Sequence, residues 1–446
     1  MESAKPSPGF WKKERDRMKT SVSQNGDEVI FHLHPEEEDL KYLKTTNIAL
    51  NGSQAKVDLQ GVKINEIHPD LIGLSTILMC HQFIGSRLYL PVEVSKGFLE
   101  SANNILSKYK ICSKCDESIP AYKTPLRARP GLAFSGGADS TAALSVMPGN
   151  TVPVFMNRPM RKGSIYDSDA PLKNCELLRQ IGYDVKVVDC DLEFLRKPVG
   201  FPSDLAHAIP LILLSESLGI GSIAFGTVLE SAYGIGHEKY IDYPNGSHKR
   251  FYGTLLSAAG LQMSLPVAGV SEVGTAMIVE SSSLRNLSQS CIRGKKGQPC
   301  QRCWKCFRKE LLLMSLFPDR MVDLEGMMRN SSEVQIKLSA YPISHENVVT
   351  YSIQRIDVSK FPFLRALKNR LDVKSDLNFL GGWYPPSQAL IPKSYRLSVI
   401  EKISGFLTIM TREQQEILEK WNMEKFLLLE TTKKSHSYLT TSWQDF

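Results

Sequence analysis

No apolar run in this chain is long enough to read as a membrane span, because its most hydrophobic stretches are interrupted by His81, His207, Pro210 and Glu216. The first residues, MESAKPSPGFWKKERDRMKTS, are polar and lack the apolar core that a secretory signal needs. There is no internal repeat and no low-complexity tract, which argues against a solenoid or an extended linker. Neither sign of charge dominates: 54 basic against 47 acidic side chains give +7, an excess that permits a nucleotide or nucleic-acid partner without requiring one. The lysine-bearing phosphate loop G-x-x-x-x-G-K-[ST] is missing, so a nucleotide would have to be held by another device. Nine cysteines without an export signal point to reduced thiols and metal rather than disulfides, and the expected location is the cytosol.

What is present begins with Leu132 to Leu144, LAFSGGADSTAAL. Leu132, Ala133 and Phe134 suit a buried parallel strand, and the Ala-rich stretch after them suits a helix. Between the two, Gly136 and Gly137 allow a turn with close backbone approach, whose N–H groups and helix N-terminus form an anion site. Ser135, Ser140 and Thr141 add hydroxyl donors. Asp139 would repel bare phosphate, so its presence there implies a divalent cation, magnesium, bridging it to the ligand. The bland reading is a Gly-rich strand-to-helix turn capped by Ser or Asp.

A second cluster, SCIRGKKGQPCQRCWKCFRK, places Cys291 upstream of the closely spaced Cys300, Cys303 and Cys306. Four thiolates complete a tetrahedral zinc shell; an iron–sulfur cluster is the alternative on thiol count. The seven basic residues from Arg293 to Lys309 read as an offset to the thiolate charge. Cys112 and Cys115 form a separate C-x-x-C, open to reading as a sulfur carrier, half a zinc knuckle, a redox pair or surface thiols.

The string SGGADS resembles the SGG-x-DS signature of the PP-loop ATP pyrophosphatases, which cleave ATP to AMP and pyrophosphate. The resemblance implies that Ser135, Gly136, Gly137, Asp139, Ser140 and Thr141 hold the terminal phosphates and magnesium, with Ser135, Asp139 and Ser140 central to catalysis. It implies adenine against the strand TVPVFM, which carries Phe155, and beside Gly226 and Thr227 in SIAFGTVLES. Together with the cysteine element and Arg308, the pattern over Arg129 to Leu313 is similar to the 7-cyano-7-deazaguanine synthase family. That family adenylates 7-carboxy-7-deazaguanine and lets a nitrogen nucleophile attack the acyl adenylate. The loop VLESAYGIGHEKYIDYP departs from the family's substrate loop, which leaves the substrate open. The compact biosynthetic enzyme consists essentially of the middle segment, and this chain adds a segment on either side of it; related synthase-like proteins in anti-phage gene clusters imply a protein acceptor or partner subunit for these flanks, and dimerisation would equally explain them.

The expected fold is α/β: a parallel sheet with helices on both faces, adenine nucleotide alpha hydrolase-like, carrying a four-cysteine zinc element. Residues 1–127 form an N-terminal α+β unit, with EVIFHLH and AKVDLQGVKI as antiparallel strands; 128–315 form the core; 316–446 form a mainly helical region. The expected ligands are ATP, Mg2+, Zn2+ and a small carboxylate, with no membrane partner. Two rival readings are a tRNA-thiolating enzyme, whose binding would be salt-sensitive, and a catalytically degenerate nucleotide scaffold. His207 reads as a packing residue, His237, Glu238 and Lys239 as substrate contacts or a solvated loop, and Arg161 and Lys162 as phosphate counter-charges or exposed bases.

Overall fold

A computed structural model describes residues 18–43, 48–113, 115, 117–161, 165–237 and 239–441. The N-terminal sheet starts from β1 (Met18–Asn25) and β2 (Glu28–His34), where alternation in EVIFHLH turns Val29, Phe31 and Leu33 inward. Next come β3 (Ala49–Leu50), β4 (Gln54–Asp58), β5 (Arg87–Tyr89) and β6 (Lys110–Cys112). The sheet order is β4-β2-β1-β5-β6; the first three strands are antiparallel, while β5 and β6 run parallel to β1. The strand expected over AKVDLQGVKI stops at Asp58, because Gln60 and Gly61 take positive φ and turn the chain. The helix Pro69–Cys80 is buried along nearly its whole length, and its Asp70 accepts from Ser95 N and Oγ at 2.8 and 2.7 Å.

The second sheet contains β7 (Arg129–Phe134), β8 (Val152–Asn157), β9 (Lys186–Asp189), β11 (Ile220–Ala224) and β12 (Gln262–Ser264); the short β10 (Arg196–Lys197) pairs instead with β3. Its order is β12-β11-β7-β8-β9 and every neighbouring pair is parallel. Both faces are covered. Ala133, Val154 and Met156 join a hydrophobic cluster with Leu211 and Leu213 of the helix Ile209–Leu213. Leu132, Phe134 and Phe155 face the other way, toward Ala142 of the helix Ala138–Val146, Leu178 of Asp169–Gln180 and Ile278 of Glu272–Ser281. Near-continuous apolar strands are what such double burial requires. The chain leaves β7 toward β8 and β9, then crosses to β11 and β12 on the other side. Strand order therefore reverses between β7 and β11, and crevices at such switch points open at the carboxyl ends of the strands.

After β12 the described residues are mainly helical, from Trp304–Leu316 through Glu346–Arg355 and Pro362–Arg370 to Glu430–Thr441. Phe307 and Leu311 of the first of these helices pack with Val349, Ile353, Phe363 and Leu367 of the second and third. Among the described residues no helix is long and apolar enough to cross a membrane.

Candidate active site and metal centre

Backbone geometry builds the turn after β7 before any side chain acts. Gly136 takes φ +73°, the left-handed region that glycine enters without steric cost, and Gly137 is the N-cap of the helix Ala138–Val146. Ser140 folds back from the first helical turn: its Oγ accepts from Ser135 N at 3.2 Å, lies 3.0 Å from Ser135 Oγ and donates to Gly137 O at 3.2 Å. Two outside contacts hold the same turn, Gln289 N donating to Gly136 O at 2.9 Å and Ala138 N donating to Ser290 Oγ at 3.3 Å. Gly226, just past β11, packs directly on it. A β-carbon there would lie 2.8 Å from Ser140 N and 2.9 Å from Ser140 Cα, so the approach depends on glycine.

The turn opens on a cavity of about 430 Å³ at the reversal point of the sheet, within the size range of small-molecule sites. Ser135, Gly137 and Asp139 form one wall, and Phe155, Phe201 and His207 form an aromatic one. Lys305, Arg308 and Lys309 complete the lining. Of the residues expected at the site, Ser135, Gly137, Asp139 and Phe155 face this cavity. Gly136 and Ser140 stand behind it as parts of the turn. Thr141 is fully buried, and its hydroxyl has no hydrogen-bond partner among the described residues. Thr227 is half-buried in the loop after Gly226.

His207 lies between the rings of Phe201 and Phe225, with both centroids 5.4 Å away, and burial pushes its imidazole down to about 4, so it is neutral at pH 7. Packing and cavity lining are combined in this one side chain. Arg161 pairs with Asp191 at 3.4 Å and stacks 3.7 Å above Phe194, outside the cavity lining. His237 and Lys239 are exposed on a loop that meets the C-terminal region, where Trp421 Nε1 donates to His237 O at 3.1 Å. Lys162 and Glu238 lie outside the described residues.

Groups not expected from sequence, Glu272, Thr275 and His345, join Lys309 in dominating the electrostatics of the site. Asp139 Oδ1 accepts from Thr275 Oγ1 at 2.9 Å and lies 3.7 Å from Lys309 Nζ. Lys309 Nζ is 3.1 Å from Glu272 Oε2, while Glu272 Oε1 bonds Arg308 and lies 3.2 Å from His345 Nδ1. Burial would raise the Glu272 carboxyl, but Lys309, Arg308 and His345 outweigh it and hold the group well below the usual carboxylate range. For Lys309, burial works against the charge and Asp139 with Glu272 restores it, so the ammonium is held charged. Glu230, behind Glu272, is pushed up to about 8 by burial and by the Glu272 charge; its oxygens accept from Glu272 N and from Asn347 Nδ2. The sequence carried one usable signal for this wall: Lys305, Arg308 and Lys309 are spaced i, i+3, i+4, which puts them on one face of the helix Trp304–Leu316.

The four thiols of Cys291, Cys300, Cys303 and Cys306 lie within 4.8 Å of one another, with Sγ–Sγ separations of 3.5 Å for Cys303–Cys306 and 3.8 Å for Cys300–Cys306. Tetrahedral zinc with Zn–S bonds of about 2.3 Å requires sulfur separations of about 3.8 Å. The donor set and its spacing therefore fit a metal ion such as zinc. Cys303 also N-caps the helix Trp304–Leu316, its Sγ accepting from Cys306 N at 3.4 Å. The cluster touches both sides of the cavity through the chain: Cys291 directly follows Gln289 and Ser290, and Cys306 precedes Arg308 and Lys309. Cys112 is half-buried and Cys115 exposed; neither joins a group of three or more potential ligands among the described residues.

A family model described as a family of unknown function (DUF6395) matches residues 251–422. No curated protein and no solved structure matches the chain.

Proposed function

We propose that this protein is an ATP-dependent, AMP-forming ligase of the PP-loop type with an adenine nucleotide alpha hydrolase-like core, acting on a carboxylate of the 7-carboxy-7-deazaguanine class. The observation that carries the reading is the SGGADS turn facing a 430 Å³ cavity together with Asp139, Lys305, Arg308 and Lys309. The N-terminus of the helix Ala138–Val146 and three cations suit a polyphosphate, and Phe155, Phe201 and His207 suit a planar ring.

In this reading a substrate carboxylate oxygen attacks the α-phosphorus, and the bond to the β-bridging oxygen breaks to release pyrophosphate. A nitrogen nucleophile then attacks the acyl carbon and AMP leaves. Rate enhancement comes from holding the carboxylate in line and neutralising the leaving pyrophosphate, which calls for fixed cations more than for an acid or base. Magnesium, held by Asp139, would screen the phosphates. Zinc on the four cysteines would be structural, since all four positions of its shell are protein thiolates.

The test is pyrophosphate release from ATP with 7-carboxy-7-deazaguanine, followed by intact-mass analysis for AMP, amide, nitrile or a mass added to a polypeptide. Asp139→Ala is expected to abolish AMP formation while leaving the circular dichroism spectrum unchanged. Turnover of that variant at the wild-type rate would refute the role of Asp139, and absence of pyrophosphate release with any carboxylate would refute the ligase reading.

A further inference from the structure

Lys309 sits between two carboxylates that belong to different tasks. Asp139 is half-exposed on the cavity, whereas Glu272 is buried, at 3% exposure. The ammonium lies closer to the buried one, 3.1 Å from Glu272 against 3.7 Å from Asp139. Asp139 Oδ1 already takes a hydrogen bond from Thr275, which shares the helix Glu272–Ser281 with Glu272, and Oδ2 has no protein partner among the described residues. Arg308 and His345 engage the other oxygen of Glu272, fixing that carboxylate from two further directions. Glu272 therefore cannot turn toward the cavity, and it holds Lys309 just short of direct contact with Asp139.

We infer that Lys309 is a resident counter-ion for Asp139 that competes with the divalent cation for this carboxylate, and that Glu272 is the positioning residue that keeps the competition weak. The inference rests on the nucleotide reading given above and deepens it. When a metal-bearing nucleotide takes Asp139, the two positive charges repel, and Lys309 turns to the phosphate oxygens while Glu272 keeps it at the cavity wall. Without nucleotide, Lys309 neutralises a carboxylate that would otherwise stand uncompensated beside a buried ion cluster. His345 and Asn347 come from the C-terminal helical region, so that region takes part in setting the affinity of the core for its cation.

The experiment titrates Mg2+ into the full chain at a fixed concentration of a fluorescent ATP analogue and reads nucleotide binding, not turnover. Lys309→Gln is expected to lower the half-saturating Mg2+ concentration about tenfold, because the competing charge is gone, while weakening affinity for the nucleotide itself. Glu272→Gln is expected to raise the Mg2+ midpoint about tenfold, because Lys309 then closes onto Asp139. In the double variant the midpoint returns to that of Lys309→Gln alone, a rescue that a merely structural role for Glu272 would not produce. If Glu272→Gln does not fold, Lys309→Gln decides alone: a midpoint equal to or above that of the wild type overturns the inference. Wild-type protein that binds no nucleotide at any Mg2+ concentration removes the nucleotide reading, and the inference with it. Wild-type binding with unshifted midpoints removes the inference only.

Discussion

Three glycines around the SGGADS turn are adjacent in space, yet a methyl group added to each meets different surroundings, and this separates folding from the proposed ligand binding. At Gly226 the new β-carbon would lie 2.8 Å from Ser140 N, short of the 3.4 Å of ordinary contact by about 0.6 Å, and every near atom is backbone. Nothing there can rotate away, so Gly226→Ala must displace the start of the helix Ala138–Val146. The expected loss is about 1–3 kcal/mol of folding stability, as for other overpacked interiors. At Gly136 the space is adequate, with Pro171 Cβ at 3.4 Å, but φ +73° makes alanine costly by about 1–2 kcal/mol. Gly137 differs from both: φ is −85° and the nearest atom would be Ser135 Oγ at 3.5 Å, so Gly137→Ala should leave stability within about 0.5 kcal/mol of the wild type. Its methyl would nevertheless stand in the cavity wall, where the proposed reading brings phosphate oxygens to the turn. Loss of one charge-assisted hydrogen bond, about 1.5–3 kcal/mol, weakens ATP binding by roughly 10- to 100-fold. Urea unfolding and calorimetric titration with Mg·ATP measure the two effects separately. ATP bound by Gly137→Ala as tightly as by the wild type would refute the phosphate turn, and an unperturbed stability for Gly226→Ala would refute the close packing of the β11 loop on it.

Cys303→Ser removes one of four thiolates and a helix N-cap at once; zinc content by elemental analysis is expected to fall from one ion per chain toward none, with a lower unfolding midpoint. Glu230 binds its proton more tightly folded than unfolded, so its contribution is fully present below about pH 4.5 and is lost as pH rises through about 8; Glu230→Gln should remove a few kcal/mol of that decline, read from urea unfolding at pH 5 and pH 8. Arg370 and Glu346 form a fully buried bidentate pair at 3.0 and 3.1 Å, so Arg370→Met alone is expected to cost about 3–5 kcal/mol, whereas pairing it with Glu346→Leu should recover most of the loss.

The parts of this molecule that were legible from the sequence are those whose physics is local. An apolar run, two glycines, a carboxylate and hydroxyls within a few residues dictate a strand, a turn and a helix, and β7, its turn and the helix Ala138–Val146 follow that order. The cysteine spacing was equally local, because three of the four thiols sit on one short loop and helix start. The partners of Asp139 were not legible, since Thr275 lies 136 residues away in sequence and only the crossover from β9 to β11 and β12 brings its helix to the turn. Lys309 was hidden for a different reason: a charge run beside four thiolates already has an adequate explanation in charge balance, so nothing in composition demands that it also face a cavity. His345 and Asn347 left no trace at all, because a histidine and an amide in a helical segment have many uses and their target, the Glu230–Glu272 pair, is assembled from the first turns of two separate helices, Leu229–Tyr233 and Glu272–Ser281.

The cysteine cluster ties the legible and illegible parts together. Gln289 and Ser290 brace the SGGADS turn immediately before Cys291, and Lys305, Arg308 and Lys309 face the same cavity from the helix that Cys303 caps and on which Cys306 lies. A single ion bound by all four thiolates would fix the distance between the brace and the cationic helix, with binding energy far above that of any one hydrogen bond in either. The arrangement would explain why a four-cysteine centre stands so close to a cavity it does not line. In the proposed reading the cavity needs anion-binding groups from two chain segments in register, and a metal on the four thiolates would supply that register without presenting an open coordination site to the ligand.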